Sequence, residues 1–209
     1  LSSCANRSCS ISSSSVVPSC VTVQDVNNDS KTWTASSKPS SSGFVDANVM
    51  KYNMHATNAA NDWFYTQGLN LVAGQRYRVS FKYRDAGQVE NLRVSYGSSA
   101  LNTAMTNELF TIETGTTNAT VNKFIDFMPA TSGVYYIGFQ SYSDANKASW
   151  FIGDIKVDVS PTCIEPTDAV LTSVTENTAV FRWTASTGLP ANGYAYEVRT
   201  EGNPGDATG

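Results

Sequence analysis

The chain has 209 residues, 41% of them apolar and only 15% charged, with a formal net charge of -4 and a pI near 4.9. That length holds one large β-sandwich, or one sandwich and part of a second domain, and the acidic balance argues against a nucleic-acid partner, which would need clustered Lys and Arg. No run nears the roughly 18 apolar residues that cross a bilayer, and no basic segment leads into an apolar one at the start, so direct membrane insertion is not expected either.

Residues 1–20 are Ser-rich, with Ser12 to Ser15 in one run, and carry too little apolar surface to hold structure of their own. They read as a linker or as the tail of an upstream module. The four cysteines, Cys4, Cys9, Cys20 and Cys163, follow no metal-ligand spacing, and their even number favours disulfides and an oxidising compartment. Three connectivities are open. The preferred one pairs Cys4 with Cys9 and Cys20 with Cys163, because Cys20 precedes the first strand-like segment and Cys163 follows the last. A bond closing so long a loop contributes about 4–5 kcal/mol in the chain-entropy account.

Val21 to Gln24 reads as a short strand feeding a loop that runs to Trp33. In that loop Asp25, Asn27 and Asp29 stand at i, i+2 and i+4, a spacing by which a tight turn aims three oxygens at one hard cation such as calcium. It is not an EF-hand, since Ser30 replaces the sharp-turn glycine and Ser36 the bidentate glutamate. An ordinary polar turn accounts for the spacing equally well.

Lys38 to Gly43 is turn-rich, and strands follow at Asn48–Met54, Asp62–Thr66 and Leu69–Val72. The clearest strand of the chain comes next: Tyr77, Val79, Phe81 and Tyr83 alternate with Arg78, Ser80, Lys82 and Arg84, a period of two that no helix can sort onto two faces. Leu92–Tyr96 alternates as well, residues 100–107 read as loop, and Glu108–Glu113, Val121–Met128, Gly133–Tyr142 and Ser149–Val159 complete nine or ten strands. The fold class is all-β, a jelly-roll β-sandwich over residues 21–160. Trp33, Trp63 and Trp150 are most simply core residues, although a Trp can also stack on a sugar ring. The polar loop Ser143–Lys147 projects from one end, which makes Tyr142, Asp144 and Asn146, together with Trp33, candidates for ligand contact.

After Pro161 the pattern restarts with Ala169–Val174, Thr178–Thr184 and Gly193–Thr200. Cys163-Ile164-Glu165-Pro166, Ala179-Val180-Phe181-Arg182-Trp183 and Gly193-Tyr194-Ala195-Tyr196-Glu197-Val198-Arg199 resemble the opening half of a fibronectin type III domain, an immunoglobulin-like sandwich of roughly 90–100 residues. Residues 161–209 are therefore expected to be a partial domain of a longer protein.

The order Asp62-Trp63, Leu69-Asn70-Leu71, Gly74-Gln75-Arg76-Tyr77, Ser80-Phe81, Leu92-Arg93-Val94, Ser132-Gly133-Val134-Tyr135-Tyr136-Ile137-Gly138-Phe139 and Phe151-Ile152-Gly153-Asp154-Ile155-Lys156-Val157 resembles the cleaved-adhesin and choice-of-anchor jelly-roll modules of Bacteroidetes surface proteins, related in shape to MAM domains and carbohydrate-binding modules. The resemblance covers about residues 20–160. It implies a large secreted or surface-anchored protein, exported by the type IX system and continued by fibronectin-like repeats. It also implies a structural calcium held by Asp25, Asn27 and Asp29 with Asp154 from the final strand and Asp62 as a fifth ligand. Relatives often carry two acids before that strand where this chain has Gly153-Asp154.

The function expected from these readings is non-catalytic adhesion or glycan recognition outside the cell, with a glycan, a host or surface protein and other domains of the same polypeptide as partners. Alternatives are an accessory module of a secreted peptidase or glycoside hydrolase whose catalytic domain lies outside this chain, and a spacer in a surface stalk. His55 is the single histidine, no Gly-x-Ser-x-Gly elbow is present, and nothing places two carboxylates across a cleft, so catalysis is not expected. Asn6-Arg7-Ser8, Asn28-Asp29-Ser30 and Asn118-Ala119-Thr120 match the glycosylation sequon, which a bacterial host would leave unused.

Overall fold

A computed structural model describes residues 15–113, 118–161, 166–185 and 193–194. The chain divides into two compact units at Val159/Ser160. The larger unit is a sandwich of two antiparallel sheets. In the first sheet β1 (Thr22–Asp25), β4 (Asp62–Tyr65), β10 (Gly133–Ser141), β7 (Leu92–Gly97) and β8 (Asn107–Ile112) lie side by side in that order, and β5 (Leu69–Leu71) pairs with the start of β10. In the second, the order is β2 (Trp33–Ser37), β3 (Asn48–Asn53), β11 (Ser149–Val159), β6 (Tyr77–Asp85) and β9 (Val121–Phe127). Between β1 and β11 the chain switches sheets seven times, which is the jelly-roll device for closing a sandwich with few open edges.

Alternation decides which side chains face inward. In β6 the residues from Tyr77 to Asp85 are buried at every second position and half-buried between. The half-buried ones are Arg78, Ser80, Lys82 and Arg84 on the outer face, where Arg78 pairs with Asp126, Lys82 with Asp154, and Arg84 donates to Asn118. Register then aligns whole rows across a sheet: Val23, Phe64, Phe139, Val94 and Phe110 are directly opposed on successive strands of the first sheet and face the core together. Phe64 and Phe139 stack at 4.7 Å, Trp33 meets Phe64 edge-on at 4.9 Å, and Phe81 meets Phe139 edge-on at 5.2 Å. Since Trp33 and Phe81 come from the second sheet, these contacts tie the two layers. At the open side Lys123 of β9 lies over the Phe110 ring of β8 at 4.6 Å, an inward-leaning charge that discourages pairing with another chain.

Two elements differ from the sequence reading. Trp33–Ser37 is a strand, although its Ser and Ala content gives little β propensity; only Trp33 and Ala35 are buried, too short an alternation to stand out. Within residues 100–107, a single 3₁₀ turn occupies Asn102–Ala104 and β8 already begins at Asn107. In the smaller unit β12 (Thr167–Val174) pairs antiparallel with β13 (Ala179–Thr184). The expected strand at Gly193–Thr200 lies almost wholly outside the described residues, as do Cys4, Cys9 and Cys163. Cys20 is held in a disulfide.

Phe64 is fully buried between Trp33 and Phe139. Phe64→Ala is expected to destabilise the sandwich by about 3–5 kcal/mol, read by denaturant unfolding.

Candidate functional site

The row beyond the aromatic one is polar. Asp25, Asp62, Ser141 and Leu92 are directly opposed across β1, β4, β10 and β7, and by parity they face inward at one end of the sandwich. From the second sheet the matching end row is Trp33, Tyr52, Trp150 and Asp85. Trp33 donates its indole N–H to the Asp62 carbonyl at 3.0 Å, and the Val26 amide donates to the Asn61 carbonyl at 3.1 Å, so the loop between β1 and β2 is pinned over this layer.

That loop is the acidic one. Asp25 accepts from the amides of Asp29 (3.3 Å) and Ser30 (2.9 Å), Asp29 accepts from the Lys31 amide (2.8 Å), and the Asn27 amide group donates to the Ala59 carbonyl (2.7 Å) and to Asp29 (3.2 Å). Asn28 and Ser30 take the left-handed conformation that lets the chain reverse so tightly. Below it, Asp62 is fully buried; one oxygen accepts from the Asn61 amide at 3.2 Å and the other has no hydrogen-bond partner. Burial, with the charges of Asp25 and Asp29 adding to it, pushes the Asp62 carboxyl up to about 7, although the nearby Tyr52 phenol and the Asn61 amide pull the other way. Tyr52 stands beside this carboxylate without hydrogen-bond geometry, so Tyr52 Oη, Asp62 Oδ1 and Ser141 Oγ are all buried without a partner at this end.

Asp25 thus stands opposite Asp62 beneath the loop that carries Asn27 and Asp29, but Asp154 does not join them. It sits at a bulge in the middle of β11, between the pairs Gly153↔Lys82 and Lys156↔Ser80, with φ of 52°. There its carboxylate pairs with Lys82 Nζ at 2.8 Å and accepts from the amides of Val45 and Asp46, both at 2.9 Å. Burial alone would raise its pKa, yet Lys82 and these two amides outweigh that and hold it below the usual carboxylate value. Asp154 fastens the loop before β3 onto the outer side of the second sheet. Among the described residues no three His, Cys, Asp or Glu side chains cluster as a ready-made metal ligand set.

The ligand candidates also separate. Trp33 is fully buried and serves the core, which removes it as a sugar platform. Asp144 and Asn146 are exposed on the loop between β10 and β11, and Tyr142 is half-buried. This loop is held on both flanks: the Ser143 carbonyl accepts from Ala60 and the Asn146 amide donates to the His55 carbonyl, both at 2.8 Å, while Ser143 Oγ accepts from Asn91 at 2.8 Å. His55 works as a turn residue, its ring nitrogen accepting from the amides of Thr57 and Asn58. Beneath lies Glu90, a hub the sequence does not announce: it is 1% exposed and accepts from the Ala148 amide.

No family model matches the chain, and no curated protein matches it in sequence. Solved structures place it in a class: a β-sandwich built as cleaved adhesin domains are. The K1 cleaved adhesin domain of Lys-gingipain from Porphyromonas gingivalis W83 is similar with a TM-score of 0.54 at 15% identity, over 69% of this chain and 94% of that one. The K2 domain of Lys-gingipain gives 0.55 at 15% identity, over 71% and 95%. An arabinose-bound α-L-arabinofuranosidase matches at 0.50 and 12% identity, over 67% of this chain but 23% of its own. At these identities the likeness establishes the fold.

Burial raises the Glu90 carboxyl above its ordinary 4.5, with Asp85 adding to the rise, and Ser143, the Ala148 amide and Lys147 opposing it. An acid with a raised folded pKa favours folding less as pH climbs from its unfolded value through its folded one. Glu90→Gln, which keeps an acceptor for Ala148, is therefore expected to melt higher than the parent at pH 8, with the gap closing towards pH 4.5. Melting curves of both proteins in chelator across that range are the check.

Proposed function

We propose that this chain is a non-catalytic recognition module of a secreted or surface-anchored protein, directed at glycans and braced by calcium. The observation that carries the reading is the placement of its acids within a sandwich of adhesin type. Asp25, Asp62, Asp85 and Glu90 lie in the interior end layer or under the rim loops, where they accept from backbone amides and hold the loops in place. The neighbouring arabinofuranosidase, in which the matched fold is a minor part of the chain, supports as a second reading an accessory module beside a catalytic domain. The β12–β13 hairpin is read as the opening of a fibronectin type III domain.

Calcium suits the donor chemistry of the end layer. A hard cation binds oxygen, and here Asp25 stands opposite Asp62 while Asp62 Oδ1, Ser141 Oγ and Tyr52 Oη are buried without partners. Asp25, Asn27, Asp29 and Asp62 would hold the ion, and its charge would offset the burial of Asp62. Asp154 is left to Lys82. A bound cation stabilises only the folded chain, so the parent should melt higher in millimolar calcium than in EDTA, by on the order of 5 °C at saturating ion.

Asp62→Asn should abolish that calcium-dependent rise, whereas Asp154→Ala should lower the melting temperature equally in both conditions, having lost a loop anchor and no ligand. An equal loss for Asp62→Asn in calcium and in EDTA removes the metal. The recognition reading is tested by screening the chain on a glycan array in calcium and in EDTA. Binding in calcium is expected; no binding by folded protein in either condition contradicts it.

A further inference from the structure

The outer side of the first sheet carries a second set of aligned rows. Gln24, Trp63, Gln140, Arg93 and Thr111 are directly opposed across five of its six strands, β1, β4, β10, β7 and β8. The next outward row is Thr22, Tyr65, Gly138, Ser95 and Glu108. An amide, an indole, an amide, a guanidinium and a hydroxyl in one line is an uncommon exterior for a sheet, and the two halves of this face differ.

The half over β1 and β4 is closed. Trp63 and Tyr65 stack in parallel at 5.8 Å, which in isolation would make a sugar platform, but Trp63 is 4% exposed and Tyr65 is buried. The segment between β7 and β8 folds back over them. Asn102 and Gln24 exchange hydrogen bonds at 2.9 and 3.1 Å, and Tyr65 Oη donates to the same Gln24 at 2.6 Å. A methyl placed on Gly138 would come within 2.8 Å of Met105 Sδ and 3.0 Å of both rings, so nothing further fits between this cover and the sheet.

The half over β10, β7 and β8 is already organised and opens to solvent at Arg93 and Glu108, above Gln140 and Ser95, which are buried. Gln140 Nε2 donates to Asn61 Oδ1 at 2.9 Å, Arg93 donates to Gln140 Oε1 at 3.2 Å, and Arg93 Nε pairs with Glu108 at 2.9 Å. The guanidinium lies over the Tyr142 ring at 4.9 Å, and the Arg93 and Glu108 side chains are 38% and 55% exposed. Arg93 has five N–H donors and a carboxylate about four acceptor positions, so after these contacts both still present donors and acceptors to solvent.

We propose that this half, centred on the exposed Arg93 and Glu108 with Gln140 holding the guanidinium from beneath, is the ligand site, and that it takes a neutral glycan through pairs of adjacent hydroxyls. The proposal rests on the recognition reading above and deepens it. A vicinal diol both donates and accepts, and it is matched by a carboxylate and a guanidinium held side by side. The Arg93–Glu108 pair is balanced in charge, so it offers no excess of positive charge to a uronate or sulfate. Holding each planar group by its neighbours before the ligand arrives reduces the ordering cost of binding. The large hydrophobic side chains that are strongly exposed fall outside both rows, whereas a protein partner would want an apolar anchor at the centre.

The test uses the full 209-residue chain on an array bearing neutral oligosaccharides (galactan, xylan, arabinan and β-glucan fragments) and acidic ones (polygalacturonate, hyaluronan and heparin fragments). The parent is expected to bind neutral members. Arg93→Ala and the near-isosteric Glu108→Gln should each weaken that binding about tenfold or more, about 1.4 kcal/mol, with Glu108→Gln leaving the melting temperature unchanged. The rim variant Asp144→Ala/Asn146→Ala should bind as the parent does. Neutral-glycan binding that survives Arg93→Ala and Glu108→Gln but fails in the rim variant overturns this site while leaving the recognition reading intact. A preference for acidic glycans that salt abolishes overturns the ligand class, and no glycan binding by folded parent overturns both.

Discussion

The stack of Phe64 on Phe139, clasped by Trp33 and Phe81 from the opposite sheet, is the contact on which the rest of the molecule depends. Aromatic pairs of this geometry contribute beyond the area they bury, and their position sets the phase of every strand they touch. Because side chains alternate with a strict period of two, a slip of one residue would turn a whole strand inside out. Fixing Phe64 and Phe139 inward therefore also fixes Asp62 and Ser141 inward, and sends Trp63 and Gln140 outward.

Two chemistries follow from that single phase. Inside, the hydrophobic rows give way at one end to Asp25, Asp62, Ser141 and Tyr52, where unpartnered oxygens gather and where an unpaired buried charge is costly. Outside, the same strands align amides, a guanidinium and a carboxylate drawn from distant parts of the chain. The loops that join the two faces are stitched to each other at Ala60, Asn91, Ser143 and Asn146, so the rim behaves as one piece and each face keeps its shape.

Much of the fold is legible in the sequence. β6 announced itself through nine residues of uninterrupted alternation, and most other strands lie within one or two residues of their expected bounds, the usual uncertainty of strand ends. β2 was not legible, because Trp-Thr-Ala-Ser-Ser has little strand propensity and owes its state to pairing with β3. The acidic loop was legible from its spacing, whereas Asp62 entered only through the family resemblance, its place opposite Asp25 being set by cross-strand register. Asp154 misled for a local reason: it stands beside the final strand as expected, but the bulge there turns it towards Lys82 and the amides of Val45 and Asp46. The outer row was illegible, since residues 24, 63, 140, 93 and 111 become neighbours only through cross-strand register, which no local pattern encodes.

Three solved folds at 12–15% identity share this architecture, which supports the scaffold and leaves its surfaces to be read from this chain's own residues. The claim most open to direct measurement is that ligand contact falls on the outer face of the first sheet and not on the rim. Amide and side-chain NMR shifts of the full chain, followed while a neutral oligosaccharide is titrated in, locate the contact without any substitution. The account predicts that the perturbed signals centre on Arg93, Glu108, Gln140 and Thr111. Perturbations confined to residues 54–61 and 142–148, with those four signals unmoved, would contradict it.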